Sequence, residues 1–152
     1  MGCKMVETFN KYNINLENIK MRNILVISLL SMDEIERIHF LKGITKVNLG
    51  IELSKGLKEI SEDRRAHAVL FEMDKILRDN KYESLLVSNI DILFNPQYNL
   101  NALKYFTNLA RSKLVFLEWP GTINGNILQY SEINHEDYTR YNLRDYDVAL
   151  IK

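Results

Sequence analysis

The polar residues best placed for chemistry stand just beyond three apolar runs, Ile24–Ile27, Leu85–Val87 and Leu114–Leu117. Ser28 and Ser31 follow the first, Ser88, Asn89 and Asp91 the second, and Glu118 and Trp119 the third. A run that is apolar at every position is the pattern of a strand covered on both faces. In an open parallel sheet, ligands bind at the carboxyl ends of the strands. If these strands are parallel, Ser28, Ser31, Ser88, Asn89, Asp91 and Glu118 converge on one edge. Asp91 and Glu118 then supply the carboxylates that a metal ion or a general base requires. The plain alternative is that polar residues close strands wherever loops meet water.

A strand that runs straight into a helix is where a phosphate-binding loop would sit. Such a loop needs glycines so that backbone amides can wrap the phosphates, a lysine for the outer phosphates, and a hydroxyl for magnesium. The segment here reads Ser28-Leu29-Leu30-Ser31-Met32-Asp33-Glu34 and contains neither glycine nor lysine. Asp33 and Glu34 fall at the start of the helix, where they stabilise its dipole and repel a phosphate. The residues describe a nucleotide-binding scaffold without its phosphate-binding parts. No cofactor follows from them directly, and Mg-ATP is expected only where a partner completes the site.

The elements that must position these residues follow from periodicity. Ile24–Ile27 forms a central strand, and Ser31 with Glu34 makes a capping box for a helix carrying Met32, Ile35, Ile38 and Leu41 until Gly43. Thr45–Leu49 reads as the next strand, and Leu53, Leu57 and Ile60 mark a helical face. A further helix runs from about Arg64 to Asp79 with Val69, Leu70, Met73, Ile76 and Leu77 inward and Asn80 at its end. Leu85–Val87 is a strand, followed by Ile90, Ile92, Leu93 and Phe94 before Asn95 and Pro96 force a turn, and Leu100, Leu103, Phe106 and Ala110 lie on one helix. Ile127–Tyr130 and Val148–Ile151 are late strands joined by a polar, Tyr-rich connection. The first twenty residues read as an arm or a short helix, and residues 21–152 as one domain. Strands alternating with helices predict a three-layer α/β fold around a mostly parallel sheet.

Composition narrows the function classes. The chain has 152 residues, the size of one domain. Its 20 Lys plus Arg balance 20 Asp plus Glu, so no bulk field gathers nucleic acid or an anionic membrane. Cys3 is the only cysteine, which excludes an intramolecular disulfide and a cysteine zinc site. No apolar stretch has the length to span a bilayer. The first residues lack a secretory pattern, and Val6 stands where acylation wants Ser or Thr. A cytoplasmic location is expected. His135, Glu136 and Asp137 are adjacent, so they point to opposite sides of an extended chain, and no second His lies at ligand spacing; no metal site is expected.

Five segments, taken in order, resemble the small P-loop protein family of BREX phage-defence systems (BrxF-like). They are Val47–Ser54, Leu85–Pro96, Leu109–Lys113, Trp119–Gly121 and His135–Tyr141. The resemblance implies a P-loop fold, a phosphate-binding loop after the first strand, an Asp-Asn pair after the third, and work beside other defence proteins. The chain departs at two points: the loop lacks its glycine and lysine, and the pair reads Ser88-Asn89. Within these segments, Arg111, Trp119, His135, Tyr138, Arg140 and Tyr141 are the candidates for partner contact, because Tyr, Trp and Arg are enriched at interface hot spots. The same aromatics packing against the sheet edge is the alternative. Glu132, Glu136, Asp137, Asp145 and Asp147 interleave with them, which disfavours stacking on nucleic acid. The expected function is an interaction or regulatory subunit with a degenerate nucleotide site. The alternative is an atypical nucleotide-binding protein or NTPase whose site is completed by Asp91 or Glu118 for magnesium, or by a partner subunit that supplies the missing cations.

Overall fold

The structure, a computed structural model, describes residues 6–38, 43–79 and 81–152. Cys3, Leu41 and Asn80 lie outside the described residues. Six strands form one sheet in the order β1-β9-β2-β5-β4-β3, and every neighbouring pair is parallel. These are β1 (Glu7–Phe9), β2 (Leu25–Ser28), β3 (Thr45–Asn48), β4 (Ser84–Ser88), β5 (Leu114–Glu118) and β9 (Val148–Ile151). The wholly apolar runs occupy the interior of the sheet, as double-sided burial demands. β3, at an edge, alternates half-buried and exposed residues.

Helices flank the sheet on both faces, and the period of two along each strand divides its side chains between two cores. Val26, Leu86, Phe116 and Ala149 point to one face with Ile19 of α1 (Leu16–Arg22) and Ile35 of α2 (Met32–Glu36). Leu25, Ile27, Leu85, Val87, Val115 and Leu150 point to the other. There they meet Leu53 of α3 (Leu49–Lys58), Met73 of α4 (Glu62–Leu77) and Phe106 of α5 (Ala102–Leu109). Leu70, expected inward, is 48% exposed beside Phe71. The buried stripe of α4 runs through Val69, Met73 and Leu77, which turns Leu70 to its flank.

The first twenty residues supply the expected short helix as α1 and also a strand, since β1 adds to β9 in the register Glu7–Ala149 to Phe9–Ile151. An ion pair from Arg22 of α1 to Glu7 of β1 holds the two together and lowers the Glu7 carboxyl from its ordinary range. The expected strand Ile127–Tyr130 is β7, and the Tyr-rich connection that follows it carries a further strand, β8 (Thr139–Asn142); with β6 (Thr122–Asn124) they form a second, antiparallel sheet before the chain returns to β9. α2 is brief: Ser31 caps it through the Glu34 amide, and Arg37 closes it.

Candidate functional site

Parallel pairing gathers the polar strand-end residues as expected. Ser28 and Glu118 stand side by side in the β2–β5 register, and Val87 pairs with Leu117, which sets Ser88 next to them. Asn89 follows with a left-handed backbone (φ 56°), a conformation that Asn tolerates better than most residues. Its side-chain amide donates to Asn48 Oδ1 at 2.9 Å, and that same oxygen accepts from the Ile51 amide as the N-cap of α3. Gly50 makes room for this contact, because a Cβ there would lie 2.8 Å from Asn89 Cγ.

The turn after β2 is closed on itself. Ser28 is fully buried, and its Oγ accepts from the Leu30 amide at 3.1 Å. Ser31 Oγ accepts from the Glu34 amide at 3.1 Å. The Leu29 amide donates to the Ile151 carbonyl at 2.9 Å, which extends the β2–β9 ladder. A phosphate cradle requires successive amides pointing outward into one concavity. Here the amides of Leu29, Leu30 and Glu34 are all bonded within the protein. The Ser28 and Ser31 hydroxyls are the acceptors for Leu30 and Glu34, and the Ile151 carbonyl is the acceptor for Leu29.

Asp91 begins a 3-10 turn, Asp91–Phe94, and its Oδ2 accepts from the Tyr130 hydroxyl at 3.0 Å. Tyr130 stacks on Phe94, ring centroids 4.3 Å apart. Burial, the Asp91 hydrogen bond and the Asp91 charge push the Tyr130 phenol up to about 12. Partial burial, and then the charge of Asp91, push the Glu118 carboxyl above its ordinary range. The two carboxylates therefore share one region of the edge. Among the described residues no group of three His, Cys, Asp or Glu is placed to hold a metal ion.

A raised acid pKa in the folded state is a penalty on the ionised form. That penalty is present above the folded pKa and disappears as pH falls through it toward the unfolded value. Glu118→Gln is therefore expected to raise thermal stability at neutral pH, with the advantage fading as pH drops through the carboxylate range. Thermal melts from pH 7 to pH 4 check this. An advantage that grows on acidification would contradict it.

The partner-contact candidates separate. Trp119 and Tyr141 are 5% and 7% exposed, so they are interior groups and not surface contacts; the packing alternative describes them. Trp119 Nε1 donates to the Thr122 and Gln129 carbonyls at 3.2 Å each, and its ring meets Phe94 and Tyr141 edge-on. The Tyr141 hydroxyl accepts from the Ala102 amide at 3.0 Å, which ties β8 to the start of α5. His135, Tyr138 and Arg140 stay together on the small sheet and the loop before β8, with His135 3.9 Å from Glu132 and Arg140 exposed. Arg111 is exposed in the turn from α5 to β5, at the opposite, amino edge of the large sheet.

Tyr130 is the site residue that the spacing marks only as the end of the strand Ile127–Tyr130. Its bond to Asp91 spans 39 positions and has no local signal. Among the described residues no helix is long and apolar enough to cross a membrane. No family model, curated protein or solved structure matches the chain.

Proposed function

We propose that the chain is a protein-interaction or regulatory subunit of a BREX-type antiphage system, built on a P-loop-like fold whose phosphate-binding loop is lost. The observation that carries this reading is the closed turn after β2, where Ser28 and Ser31 bond the amides of Leu30 and Glu34. Asp33 and Glu34 add negative charge at the mouth of α2. Two further features support it. The strand before this turn lies inside a parallel sheet with helices on both faces, which is where a P-loop strand belongs. The family-like segments Val47–Ser54, Leu85–Pro96 and Trp119–Gly121 all bear on the carboxyl edge.

The contact surface in this reading is the small sheet and its loop. Ile133 is 75% exposed there, with His135, Tyr138 and Arg140 around it. Trp119 and Tyr141 hold this sheet in place from beneath. The shared field of Asp91 and Glu118 favours a second reading, in which those carboxylates hold magnesium and a partner supplies the cations for the phosphates.

One pair of measurements separates the two. The isolated chain is titrated with Mg-ATP and Mg-GTP, and it is mixed with the purified larger proteins of a BREX system and passed over a sizing column. Co-elution without nucleotide binding is expected. Micromolar nucleotide binding by the isolated chain would overturn the lost-site reading. Failure to co-elute with every component would overturn the subunit reading.

A further inference from the structure

Asn124-Gly125 is the only Asn-Gly pair in the chain, and it stands at the turn between β6 and β7. Gly125 has a left-handed backbone (φ 59°), and a Cβ there would meet nothing within 4 Å, so the turn projects into solvent. Asn124 is exposed and pairs with Ile127 in the last rung of the ladder; Gly125 lies beyond that rung. We propose that Asn124 is a site of spontaneous modification, converted to aspartate and isoaspartate through a cyclic imide formed with Gly125.

The Gly125 nitrogen attacks Asn124 Cγ, and a bond forms between them. The Cγ–Nδ2 bond breaks, and the proton of the Gly125 amide leaves with Nδ2 as ammonia. Water then opens the imide at either carbonyl, giving aspartate or isoaspartate at position 124. Glycine permits this, because without a Cβ it neither crowds the nitrogen nor resists the backbone turn that ring closure needs. At Asn15, Asn48 and Asn142 the next residue is Leu, and there the side-chain oxygen is held by a main-chain amide as a cap. The Asn124 side chain makes no hydrogen bond among the described residues. Its extended strand conformation keeps Cγ and the Gly125 nitrogen apart, so ring closure follows opening of the Asn124–Ile127 rung, and the ends of elements open at least cost. Isoaspartate lengthens the backbone by one carbon, and the rung then cannot re-form in register. A loss of partner contact as the protein ages rests on the subunit reading, since the same sheet carries the proposed contact surface; the modification itself does not.

The test is to hold the whole chain for days in warm, mildly alkaline buffer, digest it and map the peptides by mass. The peptide carrying position 124 is expected to gain about 1 Da, the exchange of an amide nitrogen for oxygen, and to split into two chromatographic isomers. Its rate is expected to exceed that of every other asparagine by about tenfold or more. Asn124→Gln, at an exposed side chain without hydrogen bonds, is expected to keep the fold and to abolish the gain. An unchanged peptide at position 124 while other asparagines react would overturn the proposal. So would a single aspartyl isomer, which would mean direct hydrolysis without the ring. A mass gain of the same rate in Asn124→Gln would place the reaction elsewhere and overturn it too. None of these outcomes depends on whether the chain joins larger partners.

Discussion

Trp119→Ala is expected to destabilise the protein by about 3 to 5 kcal/mol, the range for truncating a buried large aromatic. The indole is the hinge pin between the two sheets. It follows β5 directly, and its backbone amide donates to the Ser28 carbonyl at 2.9 Å. Its ring stands 5.6 Å from Phe94 and 6.1 Å from Tyr141, both edge-on, a geometry that adds to the burial gain. Removing it opens a cavity under the small sheet and leaves the Thr122 and Gln129 carbonyls without their indole donor. Denaturant titration checks this, with Trp119→Phe as the companion: it keeps a ring but loses the donor, and is expected to cost less. A Trp119→Ala midpoint equal to that of the parent would show that the small sheet does not depend on this residue.

Gly121→Ala is expected to be nearly as harmful for a different reason, at about 3 kcal/mol. A Cβ at Gly121 would run into the Gln129 carbonyl oxygen, with the carbonyl carbon at 2.9 Å and Trp119 Nε1 at 3.0 Å. The obstacle on one side is β7 backbone, which cannot rotate away as a long side chain could. Thr122 pairs with Gln129 in the β6–β7 ladder, so any displacement breaks the register of the small sheet at its first rung. Thermal unfolding measures the loss. The contact-surface reading adds that Gly121→Ala should also weaken co-elution with BREX proteins while leaving the large sheet folded. Unchanged stability would mean that the β5–β6 turn is looser than this close approach requires.

Much of the large sheet was legible because its strands are buried on both faces. Ile24–Ile27, Leu85–Val87 and Leu114–Leu117 carry that burial in an unbroken apolar run, and their parallel pairing gathers Ser28, Ser88 and Glu118. β1, β6 and β8 gave no such signal. They are three or four residues long, and their side chains are mostly exposed or half-buried. What pairs them is contact with strands far along the chain, as in Glu7 with Ala149.

The aromatic residues show a second limit. Interfaces and interiors are both rich in Trp and Tyr, so composition alone could not decide whether Trp119 and Tyr141 face outward. The neighbours that decide it, Phe94 and the Ala102 amide, lie 25 and 39 positions away. The lack of glycine and lysine in the turn after β2, by contrast, is readable from Ser28 to Glu34 alone. The capping role of Ser31 is local, and local hydrogen bonds are what sequence spacing encodes best.

In the turn after β2 the amides of Leu29, Leu30 and Glu34 are bonded within the protein and are not offered to a phosphate. Calorimetric titration of the isolated chain with Mg-ATP tests it most directly. Dilution heat alone is expected, and Ser31→Gly, which frees the Glu34 amide, is expected to restore no binding because Asp33 and Glu34 remain. A saturable one-to-one isotherm with a dissociation constant on the order of micromolar would contradict it.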